Sequence, residues 1–165
     1  GELAHAFGME VLAHDVVPGA DPGYQPFSWV GLEEAFSRAD VVSLHAPLTG
    51  ENRGFVDKAL LRRMKPTAVL INAARGELVD AKDLAEALRE GILACAALDV
   101  AETEPIPADN PLLSAPNTIM TPHMAWSTLA ARRRMVRITA ENIRAFLAKS
   151  PQNVVNRAFL EAAAL

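Results

Sequence analysis

At 165 residues, half of them apolar, the chain has material for one real hydrophobic core and is short for two complete domains. Its formal net charge of -4 leaves no broad basic surface, which argues against nucleic acid as a partner. No run approaches the ~18 consecutive apolar residues of a membrane span, and the single cysteine, Cys95, has no partner for an internal disulfide, so a reduced, cytoplasmic setting is expected.

In chain order, Gly1 to Phe7 reads as the remnant of a helix, and Val11 to His14 as a first short strand. Leu32 to Ser37 is amphipathic, Val41 to Leu44 is the next apolar run, and Asp57 to Arg63 is amphipathic again. Ala68 to Ile71 and Ala94 to Leu98 are apolar runs flanking Ala81 to Glu90, where Leu84, Ala87 and Leu88 share one helical face. Asp80 is placed to cap that helix, and Gly91 to end it in a left-handed turn. Thr103 to Asn117 carries Pro105, Pro107, Pro111 and Pro116 and is expected to be a long loop leading to the strand Thr118 to Met120. A last helix runs from Ser127 to Lys149, with Leu129, Met135, Ile138, Ile143 and Phe146 as its expected buried stripe and Pro151 as its stop. Its cluster Arg132-Arg133-Arg134 reads as a solvated or salt-bridged face.

The apolar runs are continuous rather than alternating, as in strands covered on both faces. Strands alternating with helices predict an α/β fold with a doubly wound parallel sheet. In such sheets the crevice beyond the carboxyl ends of the strands holds the ligand, so polar residues just past each apolar run are the ones to weigh. Arg75 stands there in Asn72-Ala73-Ala74-Arg75-Gly76, a carboxylate in Asp99-Val100-Ala101-Glu102-Thr103-Glu104, and His123 in Thr121-Pro122-His123-Met124. An imidazole with a carboxylate to orient it and an arginine to hold an anion is equipment for reducing a keto acid. The four histidines lack the spacing of a metal site, and no metal is expected.

The stretches AFGMEVLAHD, ADVVSLHAPLT, MKPTAVLINAARGELVD, ALDVAETEP, NPLL, TPHMAW and PQNVVN occur in order along nearly the whole chain. With them the chain resembles the C-terminal, NAD-binding part of the D-isomer-specific 2-hydroxyacid dehydrogenases, and is most similar to the glycerate dehydrogenase and hydroxypyruvate reductase branch. The resemblance implies a Rossmann-like domain and hydride transfer between NAD(H) and a small 2-hydroxy or 2-keto acid. It implies His123 as the general acid/base, Glu104 as its orienting carboxylate and Arg75 as the holder of the substrate carboxylate. Glu102, two residues earlier, competes with Glu104 for the place beside His123.

On the cofactor side the same resemblance implies Asp15 at the adenosine ribose, which favours NAD over NADP. Asp99 is implied at the nicotinamide carboxamide, and Pro47, Asn52, Ala73, Ala74, Arg75, His123 and Ala125 near the cofactor. Asn52 stands where the family more commonly has Thr, and Trp126 where some relatives place a bulky residue. His45 is expected to be structural or to lie next to the cofactor. A G-x-G-x-x-G turn is expected upstream of the first strand and is not in the sequence. Residues 1–148 are therefore expected to be a dinucleotide-binding domain truncated at its N-terminus, and 149–165 a segment returning toward an absent substrate domain. A homodimer is implied when the protein is full length, and the fragment alone is expected to be inactive. Two rival readings are a non-catalytic NADH-sensing protein, as among corepressor relatives, and an inactive fragment.

Overall fold

A computed structural model describes residues 1–157, which fall into two units, 1–123 and the part of 124–165 up to residue 157. The first unit opens with α1 (Glu2–Ala6) and β1 (Val11–Ala13). Residues 14–26 then carry Pro18, Pro22 and Pro26 with Gly19 and Gly23, so no crossover helix forms there. The chain nevertheless returns to lay β2 (Phe27–Trp29) parallel to β1, with Val11 opposite Phe27. This strand is absent from the sequence reading: three residues beside a Pro/Gly-rich loop make no periodic signal.

Next come α2 (Leu32–Arg38), β3 (Val41–Leu44), α3 (Lys58–Leu61), β4 (Val69–Asn72), α4 (Ala81–Arg89), β5 (Cys95–Leu98) and β6 (Thr118–Met120). The last four strands form one parallel sheet in the order β3-β4-β5-β6, while β1 and β2 form a separate parallel pair. The parallel α/β architecture is thus as expected, divided into two sheets.

Punctuation explains the helix ends. The Asp80 carboxylate accepts from the Lys82 and Asp83 amides at 2.9 Å, satisfying two of the unpaired N–H groups of the first turn of α4. Gly91 closes the helix at φ +68°, a left-handed conformation that a side chain would make costly. Asp57 likewise caps α3, which is shorter than the expected 57–63 segment. The proline-rich stretch 103–117 is not wholly irregular: Asn110 caps a 3₁₀ turn, Pro111–Ser114, and so buries Leu112.

The core lies on one side of the four-stranded sheet. Val42, Leu44, Leu70, Ala96 and Leu98 meet Phe36 of α2, Leu60 and Leu61 of α3, and Leu84, Ala85 and Leu88 of α4. On the opposite face Val41 is 47% exposed, and Val69, Ile71, Cys95 and Ala97 are half-buried. This corrects the expectation of strands covered on both faces: apolar composition made both faces suitable for burial, but burial depends on what packs there. β1 ends at Ala13 rather than His14, so Asp15 stands two residues past the strand rather than at its end.

The second unit contains α5 (Leu129–Leu147), capped at its start by the Thr128 hydroxyl on the Ala131 amide and followed by Lys149 at φ +58°. None of its residues is buried, and Leu129, Met135, Ile143 and Phe146 are more than half exposed. The expected buried stripe is therefore present as a pattern, but its residues are not buried in the structure. The expected return segment continues past the described residues: 158–165 lie outside them. Among the described residues no helix is long and apolar enough to cross a membrane.

Candidate active site

Parallel strands deliver their following residues to a common edge, and the segments 73–76, 99–104 and 121–123 leave the carboxyl ends of the neighbouring strands β4, β5 and β6. Backbone bonds join these exits, from the Asp99 amide to the Asn72 carbonyl and from the Thr121 amide to the Leu98 carbonyl, each 2.9 Å.

Asn72 shapes the first exit. It is 1% exposed, and its amide side chain is used at both ends: Oδ1 accepts from the Ala74 amide at 3.0 Å and Nδ2 donates to the Arg75 carbonyl at 2.8 Å. The turn so pinned lifts Arg75 to the surface, where Nη1 donates to the Ala74 carbonyl at 2.7 Å. A guanidinium has five N–H donors, and this contact uses one of them. Gly76 then passes so close to the neighbouring exit that a Cβ on it would collide with the Ala101 carbonyl and the Glu102 amide.

The second exit carries Glu104, whose Oε1 accepts from the Ala101 amide at 3.1 Å and whose Oε2 lies 2.8 Å from Nδ1 of His123. An ionised carboxylate can only accept, so Nδ1 carries the proton of this bond and Nε2 is turned to the remaining side of the ring. The hydrogen bond from His123, and after it the one from the Ala101 amide, hold the Glu104 carboxyl below its ordinary range. Both side chains keep access to solvent, His123 being 45% and Glu104 41% exposed. His123 is held at φ +51°. Glu102 does not take this place; it lies 3.6 Å from the Arg53 guanidinium instead.

Arg75, Glu104 and His123 thus line one cleft, with Gly76, Glu77 and Glu102 among the other walls and about 200 Å³ of free space. That is below the roughly 300–1,000 Å³ of pockets for drug-sized ligands, and suits a molecule of a few heavy atoms.

The other expected residues are scattered more widely. Asp99 is buried and accepts from the Thr121 hydroxyl. Asp15 is exposed, with Oδ1 accepting from the Val17 amide at 3.2 Å. Asn52 uses its side chain on its own loop, accepting from the Thr49 amide and donating to the Pro47 carbonyl, both at 2.7 Å. Ala73 is exposed and Ala74 half-buried within the Arg75 turn. His45 lies 2.9 Å from the Ser43 hydroxyl and outside the cleft. Ala125 and Trp126 belong to the second unit and are exposed. No group of three or more potential metal ligands occurs among the described residues.

Sequence reasoning named Asn72, Gly76 and Thr121 only as members of motifs, with no role of their own, and overlooked Arg53. An Asn closing an apolar run and a Gly directly after the candidate Arg were the visible signals for the first two. Nothing local marked Arg53, and nothing in its motif marked Thr121 as the partner of Asp99.

Residues 1–125 match the family model described as D-isomer specific 2-hydroxyacid dehydrogenase, NAD binding domain. Among curated relatives, a hydroxypyruvate reductase of Blautia hydrogenotrophica is 43% identical over 157 residues, spanning 95% of this chain and 49% of the relative. Among solved structures, the NAD-complexed D-isomer specific 2-hydroxyacid dehydrogenase of Lactobacillus delbrueckii ssp. bulgaricus is 33% identical at a TM-score of 0.83, covering 92% of this chain and 50% of that one. An acyclic imino acid reductase in complex with NADPH and D-Arg is 32% identical at a TM-score of 0.80, with 93% and 48% covered. The chain spans about half the length of the curated relatives it matches. By the family model, the relatives and the parallel α/β fold together, the chain belongs to the D-isomer specific 2-hydroxyacid dehydrogenases and carries the NAD-binding part of that enzyme family.

Proposed function

We propose that the protein carrying this chain moves a hydride between NAD(H) and a small 2-hydroxy or 2-keto acid, with glycerate and hydroxypyruvate the first pair to assay. The observation that carries this reading is the 2.8 Å His123–Glu104 pair sharing a cleft with Arg75.

The residues present suit a dinucleotide. An exposed carboxylate follows β1 at Asp15, matching ribose hydroxyls and disfavouring a 2'-phosphate, and a buried, hydrogen-bonded carboxylate follows β5 at Asp99, matching an amide. On this basis the cofactor is NAD rather than NADP, and Asp15, Pro47, Ala73, Ala74 and Asp99 form its surroundings. Asn52 acts on it indirectly, through the Pro47 loop it braces. When bound, the reduced cofactor supplies the hydride for the carbonyl carbon.

The chain's own groups do the rest. The remaining guanidinium donors of Arg75 hold the substrate carboxylate as a planar fork. His123, protonated on both nitrogens, gives its Nε2 proton to the carbonyl oxygen as that oxygen gains negative charge. Glu104 keeps the ring in place through Nδ1 and favours the imidazolium that this step needs. In the oxidative direction neutral His123 takes the hydroxyl proton back at Nε2. A homodimer in a reducing, cytoplasmic setting is the accompanying proposal, consistent with the free thiol of Cys95.

Substituting His123→Ala in the whole protein tests the reading. Turnover of hydroxypyruvate should fall roughly 10²- to 10⁴-fold while NADH binding stays near that of the parent. A variant within threefold of the parent would remove His123 from the mechanism.

A further inference from the structure

The cleft is rich in carboxylates for a site proposed to take an anionic substrate. Glu77, Glu102 and Glu104 line it against Arg75 and His123. Glu104 is paired with His123, which leaves Glu77 and Glu102 in the same lining as Arg75. One residue from outside the three strand exits addresses both: Arg53, on the loop between β3 and α3, lies 3.7 Å from the Glu77 carboxylate through Nη2 and 3.6 Å from Glu102 through Nη1.

The backbone around Arg53 is tied to the same segment. The Gly54 amide donates to the Glu77 carbonyl at 2.7 Å, the Val56 amide to the Leu78 carbonyl at 3.1 Å, and the Asp80 amide back to the Val56 carbonyl at 3.1 Å. Val56 and Leu78 are fully buried, so this seam is packed into the hydrophobic core. Arg53 is therefore rooted on the strut that carries the Arg75 turn, and reaches across to the exit that carries Glu104. Gly76 makes the crossing short, since its backbone rests against Ala101 and Glu102.

We propose that Arg53 is a positioning residue of this site: by holding Glu77 and Glu102 it keeps their charge off the substrate carboxylate and couples the Arg75 turn to the loop that orients His123. The proposal rests on the keto-acid reading above for its substrate and on geometry alone for its electrostatics. Arg53 and Glu102 are 56% and 55% exposed at their side chains, so the ion pairs themselves add little to stability. Their effect belongs in charge at the cleft. Among the described residues, the ionisable groups that line the cleft with His123 are Glu104 and Glu102 from the β5 exit and Arg75 and Glu77 from the β4 exit, with Arg53 beside Glu77 and Glu102.

The test uses Arg53→Gln, Arg53→Lys and Glu102→Gln in the whole protein, with two readouts: steady-state kinetics on hydroxypyruvate and the NMR titration of the His123 imidazole. Arg53→Gln leaves two carboxylates unmatched, so KM should rise about 5- to 20-fold with kcat within threefold, and the imidazole should titrate at higher pH than in the parent. Arg53→Lys keeps the charge and should recover most of both. Glu102→Gln should move the titration the opposite way, to lower pH, whereas a merely structural role would move the two variants together. Unchanged KM and titration in Arg53→Gln, or Arg53→Lys as impaired as Arg53→Gln, would overturn the proposal. Should the parent turn over no keto acid, the functional reading fails, and the opposed titration shifts still decide the role of Arg53.

Discussion

Asn72→Ala removes a buried side chain that holds the Arg75 turn from inside. Two hydrogen bonds go, at 2.8 and 3.0 Å, each worth about 1 kcal/mol net, and the Ala74 amide loses its partner in a half-buried place. The Arg75 carbonyl keeps its bond from the Leu78 amide at 3.3 Å, while water enters poorly at a side chain 1% exposed, so the total cost should be about 2–3 kcal/mol. The backbone bond from Asp99 to the Asn72 carbonyl survives any substitution, so the strand edge should stay in register. Function should suffer separately: with the turn loosened, KM for hydroxypyruvate should rise about tenfold, equal to ~1.4 kcal/mol of binding, with NADH affinity much less affected. Asn72→Asp sharpens the test. It keeps the acceptor for Ala74 but sets a carboxylate oxygen against the Arg75 carbonyl, so it should be the worse variant at neutral pH and improve on acidification, when the protonated acid can donate. Urea unfolding and steady-state kinetics measure both effects. A loss below about 0.5 kcal/mol with unchanged KM would show that the turn holds its shape without Asn72, and the reasoning would fail.

Glu104→Gln should shift the alkaline decline of the reduction rate to lower pH, because the carboxylate that favours imidazolium is gone; an unchanged profile would exclude Glu104 as the orienter. The same variant bears on stability: the Glu104 carboxyl is held low by His123 first and the Ala101 amide second, so its contribution to stability is fully present above the ordinary value of 4.5 and is lost as pH falls through the depressed one. The stability gap between parent and variant should accordingly be level near pH 5.5 and close toward pH 3. Arg75→Lys keeps the charge without the fork and should lower kcat/KM by about 1–3 kcal/mol; equal efficiency in the two proteins would refute bidentate holding. Asp15→Ser should narrow the preference for NADH over NADPH, and a parent that already favours NADPH would contradict the role assigned to Asp15.

Most of the scaffold was legible because its strands are short apolar runs between capped helices: β3 and β6 lie where the runs lie, and Asp80 and Gly91 bracket α4 as their chemistry requires. β2 was not, since Phe27-Ser28-Trp29 acquires its extended form from pairing with β1 rather than from any pattern of its own. The site divides in the same way. Arg75, Glu104 and His123 could be read from the short motifs they close, whereas Arg53 meets Glu102 only because two strand exits converge across 49 positions of sequence. The choice between Glu102 and Glu104 illustrates the limit. Both are acids of one loop, and only the fold of that loop, closed by the Ala101 amide on Glu104, directs one carboxylate to the imidazole and the other to a guanidinium.

The left-handed backbone of His123 puts chemistry and folding in opposition at a single residue. At φ +51° a side chain costs about 1 kcal/mol or more relative to glycine, a cost the fold carries at the position proposed to move the proton. Glycine there would relax the chain and abolish proton transfer; asparagine, which tolerates this region, would soften the same conflict without restoring the acid. A population selected for thermal persistence alone should therefore drift away from histidine at this site sooner than at Glu104 or Arg75, trading a working imidazole for a more comfortable turn.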